Sequence, residues 1–139
     1  MDKMLCKDIT DLVIAAFYTV YNELGFGFLE NVYQNALYRE LLRKGLNCEA
    51  LKPIEVYYKG EVVGKYIADI VVEGKVILEL KAVSSLTEAH ECQLQNYLKA
   101  TRIEVGLLLN FGLHPEFKRK VFANDLLERY KFNQNNKSV

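Results

Sequence analysis

The sequence predicts an α/β domain with the element order α-α-β-β-β-α-β-α. Three observations carry the prediction. Two stretches of helical apolar periodicity precede Gly45. Three β-branched runs then follow one another across turns at Gly60 and Gly74, and a short apolar run, Ile103 to Asn110, comes after a third helix. Consecutive strands read as an antiparallel meander, and a strand reached through a helix returns to the same sheet by a right-handed crossover. The expected architecture is a mixed sheet flanked by helices. It forms one domain over residues 1–132, with 133–139 as a disordered tail.

The elements follow in order. Ile9, Leu12, Val13, Ala16, Phe17, Val20, Tyr21 and Leu24 recur at helical spacing, and Gly25-Phe26-Gly27 ends that helix. Leu29, Val32, Tyr33, Ala36, Leu37 and Leu41 mark a second helix that stops near Gly45. Pro53 is expected to open a strand, Ile54 to Tyr58, followed by a long strand, Glu61 to Val72, and a third, Lys75 to Val83. Thr87 is placed to cap a third helix running to Ala100. Ile103 to Asn110 reads as a strand buried on both faces. Residues 115–131 read as a less regular helix with Pro115 near its start.

Composition narrows the function classes. The 139 residues are 50% hydrophobic and 26% charged, as in an ordinary globular domain. No apolar run approaches the ~18 residues of a membrane span. Cys6, Cys48 and Cys92 are odd in number and widely spaced. They read as buried small residues of a cytoplasmic, reducing compartment. His90 and His114 are isolated, which argues against a histidine-based metal site. Eighteen basic side chains balance eighteen acidic ones, so the basic excess of most nucleic-acid binders is missing. Lys118, Arg119, Lys120, Arg129 and Lys131 do crowd together, either as a local basic patch or as a solvated helix face.

The chemistry concentrates between Tyr66 and Lys81. Asp69 lies in one β-branched run and Glu79-Leu80-Lys81 in the next. Glu79 and Lys81 are two apart and share a face, while Val76, Leu78 and Leu80 share the other. A two-residue loop at Glu73-Gly74 would set Asp69 and Glu79 on opposite faces. A three-residue loop, Val72-Glu73-Gly74, pairs Asp69 with Ile77, sets Asp69 diagonal to Glu79 on the same face, and puts Gly74 where a positive φ is required. Two acids and a lysine on one hairpin face suit a divalent-metal site, although ordinary alternation also makes one hairpin face polar. Glu30 flanks the apolar stripe of the second helix, in a first turn where the helix dipole also favours a carboxylate. Gln93 and Tyr97, four apart, share one edge of the third helix, as ordinary helix-boundary residues also do.

Together these residues resemble a known family. Gly27-Phe28-Leu29-Glu30-Asn31-Val32-Tyr33 is similar to the signature of the GxxExxY proteins, within the PD-(D/E)XK nuclease superfamily. Asp69 resembles its first metal-binding acid and Glu79-Leu80-Lys81 its (D/E)-x-K. Gln93-Leu94-Gln95-Asn96-Tyr97 resembles the Q-x-x-x-Y motif of the RecB-like exonuclease branch. Ala68 stands where the family has a proline. The resemblance covers residues 8–112 and implies a restriction-endonuclease-like fold with Mg²⁺-dependent phosphodiester hydrolysis, Mn²⁺ substituting. Asp69, Glu79, Glu30 and the Leu80 carbonyl would hold the ion. Lys81 would orient the attacking water, and Gln93 and Tyr97 would position phosphate or the lysine. The implied partner is nucleic acid, in the first instance DNA, with no membrane and with a homo-oligomer or protein partner as a further option. The competing reading is a non-catalytic descendant that binds nucleic acid or a protein.

Overall fold

The computed structural model describes residues 5–123, and the expected tail, Arg129 and Lys131 lie outside them. Helices α1 (Lys7–Leu24) and α2 (Glu30–Arg43) precede the strands β1 (Cys48–Tyr58), β2 (Glu61–Val72) and β3 (Val76–Lys81). Helix α3 (Glu88–Lys99), β4 (Val105–Asn110) and β5 (Glu116–Val121) follow. The five strands form one mixed sheet in the order β1-β2-β3-β4-β5. β3 and β4 are parallel, joined through α3, and the other neighbours are antiparallel. The α/β class and the order through β4 agree with the sequence reading.

Each helix forms where its apolar stripe can be covered. Val13, Ala16, Phe17 and Val20 of α1 and Tyr33, Leu37 and Leu41 of α2 are buried against Ile70, Val72, Val76, Leu78 and Leu80 of the sheet. Leu94, Tyr97 and Leu98 of α3 cover the other face, against Ala68, Val71, Ile77 and Leu108. Thr87 caps α3 as expected: its hydroxyl accepts from the His90 N–H at 3.3 Å, and His90 Nδ1 accepts from the Thr87 N–H at 3.1 Å. β4 is buried along its whole length, which is why its sequence is a continuous apolar run.

Four expectations are corrected. Residues 116–121 form a strand, not a helix. A fully buried β4 cannot leave the N–H and C=O groups of its outer edge unpaired, and β5 supplies their partners. Lys118, Arg119 and Lys120 are therefore edge-strand residues. Lys120 pairs with Glu91 at 2.7 Å, and the Arg119 guanidinium donates to the Leu5 carbonyl. β1 begins at Cys48, five residues before Pro53. It is the outermost strand, where a proline need not interrupt a ladder. β3 is shorter than expected, and Val83 beyond it is held by the buried Asn110 side chain through two bonds of 2.9 and 3.0 Å. Cys6 and Cys48 are half-buried but Cys92 is exposed; all three thiols are free.

Candidate active site

The β2–β3 hairpin brings the two acids together, in a register different from the expected one. Ile70 opposes Leu78, Val71 opposes Ile77 and Val72 opposes Val76, which extends to Asp69 directly opposite Glu79. The loop is still three residues long, but it is Glu73-Gly74-Lys75. Both Glu73 (φ 55°) and Gly74 (φ 63°) are left-handed, and the Lys75 N–H donates to the Val72 carbonyl at 2.9 Å. A left-handed glutamate is strained by itself. Here Asn47 offsets the strain: the Glu73 N–H donates to the Asn47 carbonyl at 2.7 Å, and the Asn47 N–H donates to Glu73 Oε2 at 2.8 Å.

The β2–β3 ladder stops at Ile70 and Leu78, and side chains take over from backbone there. The Leu80 N–H donates to Asp69 Oδ2 at 2.8 Å, and the Asp69 N–H donates to Glu79 Oε2 at 3.2 Å. N–H and C=O of one strand residue point to the same edge, so the Leu80 carbonyl lies on the Asp69 side. The Lys81 carbonyl points the other way and accepts from the Phe111 N–H at 2.8 Å.

Electrostatics tie the cluster together. Glu79 is 6% exposed; burial, reinforced by the charge of Asp69, pushes its carboxyl up from the ordinary 4.5 to about 8. Burial also raises Asp69, against the bond from Leu80, and Glu30 adds to the rise. Lys81 pulls both acids down, which places its cation within their field. Tyr97 is pushed up to about 12 by burial and by the two carboxylates, and its ring stacks on Tyr66 at 3.7 Å between centroids. Asp69, Glu79, Lys81 and Tyr97 thus share one site. Glu30 is exposed at the start of α2, and its charge raises both acids. Gln93 is exposed one turn before Tyr97, with no hydrogen bond to the cluster among the described residues.

The glycine-tyrosine signature has a structural basis. The buried Tyr33 hydroxyl donates to the Gly25 carbonyl at 2.6 Å and accepts from the Phe28 N–H at 3.2 Å, while its ring stacks on Phe111. Gly27, at φ 113°, makes a bend that an L side chain would strain. The loop delivered this way sets Glu30 at the helix start and exposes Phe26 and Phe28. These rings line a groove of about 410 Å³ with Leu29, Ala82 and Val83, next in sequence to Glu30 and Lys81.

Two residues escape the sequence reading. Gln34 Nε2 donates to the Asp69 carbonyl at 3.1 Å. Its only signal is its place four residues after Glu30, on the same helix face. Tyr66, which packs on Tyr97, carries no motif at all.

The donor set is all oxygen, which suits Mg²⁺ or Mn²⁺ rather than zinc. Among the described residues no three His, Cys, Asp or Glu side chains are grouped to hold an ion. Two acids and one carbonyl fit a hard cation that keeps several of its waters. The buried Glu79 carboxyl keeps its proton up to about 8, and such a cation would favour its ionised form.

No curated protein matches the chain. Among solved structures, SSO0001 superposes with a TM-score of 0.55 at 20% identity, covering 92% of this chain and 65% of that one, a likeness of fold. An alkaline exonuclease (LHK-Exo) from Laribacter hongkongensis reaches only 0.42 at 11% identity, covering 77% of this chain and 63% of its own. The chain thus spans just under two thirds of either structure. Among the described residues no helix is long and apolar enough to cross a membrane. A family model described as the PD-(D/E)XK nuclease superfamily matches residues 7–120, the same span that builds the split hairpin and its acid pair, and the chain belongs to that superfamily.

Proposed function

We propose that this chain is a divalent-metal-dependent nuclease acting on DNA, and that within its superfamily it belongs with the GxxExxY proteins of the RecB-like exonuclease branch. The observation that carries the reading is the pair of half-buried Asp69 and buried Glu79, locked to each other's strands by backbone bonds and set beside Lys81. Asp69, Glu79 and the Leu80 carbonyl would hold Mg²⁺ or Mn²⁺, with Glu30 as a further ligand through a water. The ion supplies Lewis acidity toward the scissile phosphate and the attacking water. Lys81 orients that water and offsets charge that grows in the transition state. Tyr97 positions the lysine or a phosphate oxygen, and Gln93 contacts the strand from the helix edge. Phe26 and Phe28 offer exposed ring faces on which unpaired bases can stack, a contact indifferent to sequence.

A second reading, a non-catalytic module for nucleic acid or a protein partner, draws on one observation. Tyr57, Tyr58, Val62, Val63 and Ile67 are exposed apolar or aromatic side chains on the β1–β2 hairpin, beyond the acid pair. Single- and double-stranded DNA incubated with the protein and Mg²⁺ or Mn²⁺, beside a Lys81→Ala control, separates the two. The nuclease reading predicts metal-dependent cleavage lost in the control. The alternative predicts binding without cleavage.

A further inference from the structure

We propose that Gln34 is a positioning residue that aims Asp69 at the site, an inference that rests on the nuclease reading above. β2 lies inside the sheet, where a residue gives its N–H and C=O to the neighbouring strands. Asp69 does neither. The β1–β2 ladder runs from Ala50↔Ile70 to Lys52↔Ala68 and skips Leu51 and Asp69. Leu51, opposite Asp69, is left-handed at φ 55° and exposed, a conformation costly for leucine. The faces change over at the same place. Ala68 packs with α3 and Ile70 with α1 and α2, although strand alternation would put residues two apart on one face.

At this kink side chains meet both main-chain groups of Asp69. Its N–H goes to Glu79 on β3 and its C=O accepts from Gln34 on α2. Between the paired residues Ala68 and Ile70, Gln34 is the side chain that reaches this carbonyl, and its hold on the peptide's tilt sets the direction of the carboxylate. Because α2 also carries Glu30 one turn earlier, the same bond holds the helix start against the acid pair.

Gln34→Met keeps the length of the side chain and removes the donor; Gln34→Ala removes both. Three readouts are needed on each: the metal-free melting temperature, Mn²⁺ affinity by calorimetry, and kcat and KM on DNA. Partners that orient metal-binding side chains typically change affinity or activity about 10- to 100-fold. The inference expects at least a tenfold weaker Mn²⁺ dissociation constant and a matching fall in kcat, with KM for DNA unchanged and melting nearly so. Lower melting with unchanged Mn²⁺ affinity and kcat would mean a merely structural bond and overturn it. Wild-type protein that neither binds Mn²⁺ nor cleaves would sink the nuclease reading, and the positioning role with it.

Discussion

Replacing Glu79 by glutamine should stabilise the metal-free protein, increasingly so as the pH rises. Glu79 is buried beside Asp69, and its carboxyl moves from 4.5 to about 8 on folding. At pH 4 both folded and unfolded chains keep most of that proton. Between 4.5 and 8 the unfolded chain has lost it while the folded chain still holds it. The folded state then binds more protons, so stability falls as pH rises and levels off above 8. Each pH unit in that window is worth about 1.4 kcal/mol, which sets a ceiling of roughly 5 kcal/mol. Entry of water reduces this, and we expect a loss of about 3 kcal/mol by pH 9. Glutamine can still accept the Asp69 N–H, which binds Glu79 Oε2 at 3.2 Å, but carries no charge. Urea unfolding with chelator present, from about pH 5 to about pH 9, should show wild type and Glu79→Gln diverging steadily. Saturating Mn²⁺ should close the gap for wild type alone. Parallel curves, offset by a constant amount, would refute the buried-charge argument.

Other substitutions probe single parts of the account. Asp69→Asn retains an acceptor for the Leu80 N–H, so the fold should survive while calorimetry finds no Mn²⁺ binding and no cleavage remains. Tyr33→Phe strands the Gly25 carbonyl and the Phe28 N–H, and should cost about 1–3 kcal/mol in thermal unfolding. Leu51→Gly relieves a left-handed leucine and should be neutral to stabilising by up to about 1 kcal/mol without changing activity.

What the sequence disclosed was local. Thr87 is a cap whose partners lie within one turn, and β2 has the limits read from its residues because turns bound it on both sides. The shared face of Asp69 and Glu79 followed from loop parity. The loop moved by one residue and the cross-strand partner of Asp69 by two, with Glu73 in a left-handed conformation held by Asn47, 26 positions away, a contact that no local pattern encodes. β5 carries a charge-rich sequence with a proline before it, equally compatible with a helix; only the open edge of β4 decides. Leu51 and Gln34 gave no signal of their roles, since neither a left-handed leucine nor a glutamine aimed at a main-chain carbonyl follows from residue type. Glu30, a ligand implied by the resemblance, is exposed at the start of α2, and its charge acts on both acids.

Cleavage of end-labelled DNA by wild type and Lys81→Ala, purified alike and loaded with Mn²⁺, tests the central claim most directly. Lys81 acts on the transition state, so the account predicts equal Mn²⁺ affinity in the two proteins, metal-dependent cleavage by wild type, and a rate at least about 100-fold lower in the variant. Equal cleavage by both, or wild-type protein that neither binds the ion nor cuts DNA, would contradict it.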